Sequence, residues 1–159
     1  MLSILNEAIL TSTALYDYQP RTSEMMSAWF AAKEAGRFPV IGVESEDGEL
    51  MGFASYGTFR AWPAYKYSVE HSVYVDSKFR GRWIARVLML RLIELARAQD
   101  LHTLIGVIDA ENSASLALHE RLGFIRCGKI QQAGFKFGRW LDVEFHQLLL
   151  STPACPEDG

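Results

Sequence analysis

Hydrophobic positions recur along this chain with two different periods, and the change from one to the other marks out its elements. Residues 2–10 (LSILNEAIL) carry helical spacing with no cap in front of them, so the chain starts inside a helix. A second helix is predicted over SEMMSAWFAAKEAG, with Thr22 or Ser23 as its cap and Gly36 as its end. Between the two lies a turn-rich connection, TSTALYDYQPRTSEM, whose aromatic residues suit a pocket wall. The stretch FPVIGVESEDGELMGFASYGTF gives two β-rich runs separated by Glu46, Asp47 and Gly48, the signal of an antiparallel hairpin. In the next strand Val69, His71, Val73 and Val75 alternate with Glu70, Ser72 and Tyr74, so one face is mostly apolar and the other polar. A long helix over 81–99 places Ile84, Val87, Leu88, Leu92 and Leu95 on a core stripe. HTLIGVI then reads as a buried strand, and DAENSASLALHERLGF as a short helix capped by Asn112 or Ser113. Gly123 suits its left-handed C′ position, with Phe124 packing back. The remainder, IRCGKIQQAGFKFGRWLDVEFHQLLL, holds β-patterned runs, clearest over 143–150.

This order of elements predicts a single α+β or mixed α/β domain around one sheet, residues 1–152, followed by a flexible tail at 153–159. A length of 159 residues suits one compact core. The net charge of −3 argues against nucleic acid as the main partner, since such binding rests on a strongly basic face. No apolar run reaches the roughly 18 residues a membrane helix needs, and no signal-type segment opens the chain, so a cytoplasmic location is expected. Cys127 and Cys155 match neither a metal-ligand spacing nor a redox pair, and the four histidines are scattered, so no metal is expected.

The local basic cluster needs another explanation, and it sits where the strand 69–75 delivers its end into the loop before the long helix. A loop rich in Arg and Gly that opens a helix presents free backbone N–H groups and the positive end of the helix dipole to an anion. Phosphate binding by the amides of residues 81–85 is therefore expected, with Arg80 and Arg82 meeting phosphate charge. The alternative is a solvated helix start carrying surface arginines. Glu70, on the neutral polar face of the strand, is either a surface carboxylate or a proton acceptor. His71 points the other way and is expected to pack in the core.

The segments EHSVYV, RGRWIA, IDAENSASLALHERLGF and AGFKFGRWLD, with TALYDY and YGTFRAW before them, resemble the GCN5-related N-acetyltransferases in their order and spacing. Within that family they resemble the phosphinothricin and methionine sulfone/sulfoximine branch. The resemblance runs from Asn6 to about Leu150. It implies a GNAT fold with a central mixed, mostly antiparallel sheet flanked by helices, the family's first strand missing. It also implies acetyl-CoA as co-substrate, no metal, a primary amine of a small amino-acid-like acceptor, and a homodimer. Two other readings are a non-catalytic acyl-CoA-binding or dimeric interaction protein, and an acetyltransferase acting on a protein N-terminus or a polyamine.

Carried onto this chain, the resemblance implies Glu70 as general base for the attacking ammonium group, and His119 as donor of a proton to the departing thiolate. His119 stands where many relatives have Tyr; as an exposed helix residue it would instead be inert. The cofactor set is Val73, Tyr74, Val75, Arg80, Gly81, Arg82, Trp83, Ile84, Ala85, Asn112 and Ser115. Asn112 either caps its helix or bonds pantetheine, and the two roles are compatible. Arg60, Trp62 and Lys136 are expected at the acceptor, cations for its acidic group beside an aromatic wall. Trp83 departs from the family's pattern by standing where the pyrophosphate loop has its first Gly. Phe137 lies in a stretch where the herbicide-resistance group often has His, which favours methionine sulfone-like acceptors over phosphinothricin.

Overall fold

The computed structural model describes residues 1–158. Two helices, α1 (Leu2–Thr11) and α2 (Ser23–Ala35), precede a hairpin of β1 (Val40–Glu44) and β2 (Leu50–Thr58). Then come β3 (Ser68–Val75), α3 (Ile84–Ala98), β4 (Thr103–Asp109), α4 (Ser113–Arg121), β5 (Ile125–Lys136) and β6 (Arg139–Leu149). The six strands form one sheet in the order β1-β2-β3-β4-β6-β5. All neighbours are antiparallel except β3 and β4. The mixed sheet follows from connectivity: β4 follows β3 directly through the long helix α3, and a crossover of that kind brings the second strand in parallel.

The signals read from the sequence act where they were expected. The hydroxyl of Thr22 accepts from the amide of Met25, and Gly48 turns the β1–β2 hairpin with φ 78°. Gly123, at φ 86°, ends α4 in a Schellman arrangement: its own N–H donates to Glu120 and that of Phe124 to His119. The core between α3 and the sheet holds Leu88, Met89, Leu92 and Ala96 against Tyr56, Val69 and Leu104. A second cluster of Ile4, Leu5, Met26 and Phe53 lies under α1 and α2.

Two expectations about α3 are corrected. It begins at Ile84 rather than at 81, because Gly81 (φ 77°) and Trp83 (φ 63°) are both left-handed and break the helical path before it. Val87 is 52% exposed, since the buried stripe runs through Ile84, Leu88, Leu92 and Ala96 and leaves Val87 on its outer side. The segment expected to be a flexible tail turns back, with the Glu157 amide donating to the Tyr67 hydroxyl at 3.1 Å.

Candidate active site between the splayed strands

β3 and β4 are paired over three residues only, Ser68 with Thr103, Val69 with Leu104 and Glu70 with Ile105. Beyond Glu70 the two strands part. On the gap side, alternate amides and carbonyls of β3 then lack a strand partner, whereas β2 continues to pair with β3 as far as Val75. Two clefts meet at this gap and share Thr13, Ala14, Val73, Tyr74, Asn112 and Ser115.

The larger cleft, about 700 Å³, lies under the start of α3. Arg80, Gly81, Trp83, Ile84, Ala85 and Arg86 line it on one side, and Asn112, Ser115, Phe137 and Arg139 on the other. Among the described residues, no protein group accepts from the amides of 81–86, and no acidic side chain stands in the first turn of α3. The amides and the helix dipole are therefore free for an anion. Trp83 keeps its backbone in the loop by adopting the left-handed conformation natural to Gly, and its indole is 65% exposed. Asn112 caps α4 through Oδ1, which accepts from the Ser115 amide at 3.1 Å, leaving its side-chain NH₂ uncommitted. Arg139 and Glu111 form a 2.6 Å ion pair at the rim.

The smaller cleft, about 270 Å³, opens on the other face of the splay. Glu70, Ser72 and Tyr74 of β3 line it, with Val107 and Asp109 of β4, Val143 of β6 and the loop from Thr13 to Tyr16. Burial pushes the carboxyl of Glu70 above the ordinary Glu range, against the opposing pull of Arg60 and Lys33. Burial likewise pushes the Tyr74 phenol up to about 12. Asp109 is 5% exposed; Oδ1 accepts from the Glu111 amide at 2.8 Å, and Oδ2 has no hydrogen-bond partner. The cleft floor carries His71 and His119, whose Nε2 atoms are 2.8 Å apart. No Lys or Arg lines this cleft.

The fold thus brings together Glu70, Val73, Tyr74, Asn112, Ser115 and His119 at the gap, and Val75, Arg80, Gly81, Trp83, Ile84 and Ala85 in the larger cleft. Four expected residues lie elsewhere. Lys136 does not face the acceptor: it is 4% exposed, and its Nζ donates to the carbonyls of Ile9, Ser12 and Leu15 at 2.7, 3.0 and 2.5 Å. It closes the C-terminal end of α1, where carbonyls lack intrahelical partners. Arg82 stacks on Phe79, 5.4 Å from the ring centroid, and does not line the larger cleft, whereas Arg86 does. Trp62 is 69% exposed on the loop before β3, and Arg60 beside it stacks on Phe59 at 4.5 Å; neither lines a cleft. His119 is no exposed helix residue, at 2% exposure. Thr13, Ala14 and Asp109 were not among the expected site residues; the first two open the TALYDY segment that carries the resemblance, and Asp109 is a lone carboxylate ending an apolar strand.

Comparison with known proteins agrees with this geometry. The model of the Acetyltransferase (GNAT) family matches residues 5–124. The chain is 42% identical over 157 residues to an L-methionine sulfoximine/L-methionine sulfone acetyltransferase of Pseudomonas paraeruginosa, covering 98% of this chain and 91% of that one. A solved structure from Acinetobacter baylyi ADP1 superposes with a TM-score of 0.98 at 57% identity, over 99% of this chain and 89% of that one. A GNAT superfamily phosphinothricin acetyltransferase from Sinorhizobium meliloti, in complex with acetyl-CoA, gives a TM-score of 0.93 at 32% identity, over 98% and 84%. The family model spans most of the chain, and an acetyltransferase 42% identical to it aligns over nearly its whole length, so the chain belongs to the Acetyltransferase (GNAT) family.

Proposed function

We propose that this acetyltransferase moves the acetyl group of acetyl-CoA to the primary amine of a small amino-acid-like acceptor, of the methionine sulfone/sulfoximine or phosphinothricin type. The single observation that carries the reading is the position of Glu70, the last residue at which β3 and β4 are joined, in a cleft that meets the anion-ready one. Acetyl-CoA is the donor. Its diphosphate is held by the amides of 81–86 with Arg80 and Arg86, and its pantetheine arm lies along the unpaired edge of β3 beside Asn112 and Ser115. The acceptor takes the smaller cleft.

An ammonium group cannot attack a thioester, so Glu70 takes one proton from it, directly or through water. The freed nitrogen lone pair forms the C–N bond to the acetyl carbonyl carbon, and the carbonyl oxygen takes up charge beside an unpaired N–H of Tyr74 or Val75. Collapse breaks the C–S bond and leaves the electron pair on sulfur; the nitrogen loses its second proton and the thiolate gains one. That proton travels from nitrogen to sulfur through water; His119, on the cleft floor and held at both ring nitrogens by Ser115 and His71, shapes the step without supplying the proton. Arg60 lines neither cleft, and its charge reaches Glu70 only as an electrostatic pull that opposes the effect of burial. Exposed Ile125, Ile130 and Trp140 on β5 and β6 support assembly as a homodimer.

The test is release of free thiol from acetyl-CoA with methionine sulfone, methionine sulfoximine, phosphinothricin, a polyamine and an N-terminal peptide as acceptors. Turnover is expected with the first two. Acetyl-CoA binding without turnover on any of them would remove the reading.

A further inference from the structure

His71 follows the last paired residue of β3, and the main chain beside it on β4 is Gly106. A Cβ on Gly106 would come within 3.1 Å of both His119 Nε2 and His71 Cε1, so the bare glycine leaves room that the two rings would otherwise have to yield by a few tenths of an ångström. They lie 5.0 Å apart between centroids, nearly parallel at 26°, with Phe124 closing the third side at 5.3 Å from His71 and 5.0 Å from His119. His71 is 7% exposed and His119 2%. From β6, His146 stands 6.2 Å from His119 and makes its own 3.2 Å contact with Glu144, which also pairs with Arg126.

The protons of the pair can be placed by elimination. His119 Nδ1 is 2.7 Å from the Ser115 carbonyl, and a carbonyl only accepts, so Nδ1 carries the hydrogen. A neutral ring then has a bare Nε2, and the 2.8 Å contact requires His71 to donate from its own Nε2. His71 Nδ1 is left as a lone pair: the Ile105 carbonyl lies near the ring but not in hydrogen-bonding geometry, and this atom has no hydrogen-bond partner. Burial draws His71 down to about 3 and His119 below its ordinary value, in keeping with a neutral pair.

We infer that His71 is a positioning residue for His119: its Nε2–H fixes the tautomer and the tilt of the neighbouring imidazole where that ring meets the acceptor cleft. Both nitrogens of His119 are committed at rest, so the ring stands at the acceptor cleft as a fixed, neutral edge. Without His71, Nε2 of His119 is freed and the ring is able to take either tautomer or turn in its site. The kinetic part of this inference rests on the acetyl-transfer reading; the tautomer does not.

Nitrogen–proton correlation spectra of the imidazole rings, on the intact wild-type protein, decide the first point. The proton of His119 is expected on Nδ1 and that of His71 on Nε2; a proton found on Nε2 of His119 overturns the inference. His71→Leu is expected to lower kcat by about 10-fold, with KM for acetyl-CoA within about 3-fold, while His71→Gln, which keeps a donor near the same place, stays within about 3-fold of wild type. His71→Leu combined with His119→Leu should be no slower than His119→Leu alone, because the effect acts through that ring. Wild-type kcat in His71→Leu, or full additivity in the double variant, overturns it. If wild type releases no thiol with any acceptor, the acetyl-transfer reading fails, and the spectra of wild type and His71→Gln still decide the pairing.

Discussion

The two clefts that meet at the β3–β4 splay are built from different materials. The larger joins an apolar wall, with Ile4, Ala8, Phe79, Leu118 and Phe137, to a positively charged end made of unpaired amides at the start of α3, its dipole, Arg80 and Arg86. The smaller has carboxylates and neutral imidazoles, Glu70, Asp109, His71 and His119, and no Lys or Arg in its lining. A diphosphate asks for charge and N–H groups at set positions, which a loop before a helix supplies locally. An amine that must lose a proton asks for a carboxylate whose affinity for protons has been raised, and burial between packed elements does that. One cleft is thus a local motif, the other a product of the whole sheet.

Substitution at Glu70 breaks this contrast most sharply. Glu70→Gln keeps the size of the side chain and removes the base, so turnover should fall by about 100-fold or more while acetyl-CoA affinity is unchanged. Because burial raises the Glu70 pKa, wild-type kcat/KM should fall as pH drops through a value above the ordinary Glu range, where the carboxylate becomes protonated. That acid limb should be absent from the residual rate of Glu70→Gln. Rates equal to wild type across the pH range would take Glu70 out of the mechanism and leave the small cleft as a binding surface.

Lys136 tests what joins the two clefts. Its Nζ holds the carbonyls of Ile9, Ser12 and Leu15, and the residues between the last two, Thr13 and Ala14, line both clefts. Lys136→Met should cost about 3 kcal/mol of stability, since it strips a buried cation from three acceptors. It should also raise KM for acetyl-CoA and for the amine together, with a smaller change in kcat. Chemical unfolding and a two-substrate kinetic analysis check this; a rise confined to the amine KM would return Lys136 to the acceptor site.

The same contrast explains how much was legible in the sequence. The order of strands and helices, the Asp47-Gly48 turn, the Thr22 and Asn112 caps and the Gly123 stop all rest on neighbours within a few residues, and each stands where its pattern put it. The anion-ready turn was legible for the same reason. In the small cleft, Glu70 was legible from the strand pattern, while Val73, Tyr74, Asn112, Ser115 and His119 were legible as site residues only through resemblance. That His71 meets His119 depends on two residues 48 apart converging over Gly106, and the burial of Lys136 on carbonyls 121 to 127 residues away. Periodicity also misled at the start of α3, because spacing of apolar side chains carries no record of a left-handed backbone.

That left-handed backbone yields the smallest effect and the most direct test of the larger cleft as a main-chain device. Trp83 holds φ 63° at the N-cap of α3 without any capping hydrogen bond from its side chain. A bulky L-residue in that region costs about 1–2 kcal/mol, which Gly avoids, while Gly loses about 0.5–1 kcal/mol through the freedom it has when unfolded. Trp83→Gly should therefore be neutral or stabilising by up to about 1 kcal/mol in thermal unfolding. Acetyl-CoA binding measured by calorimetry should stay equal or tighten, since the amides of 81–86 keep their places and the exposed indole no longer stands at the cleft wall. A severe loss of affinity with an intact fold would show that the ring itself grips the nucleotide. The cleft would then owe its hold to a side chain, and the difference in material between its two halves would narrow to the arginines alone.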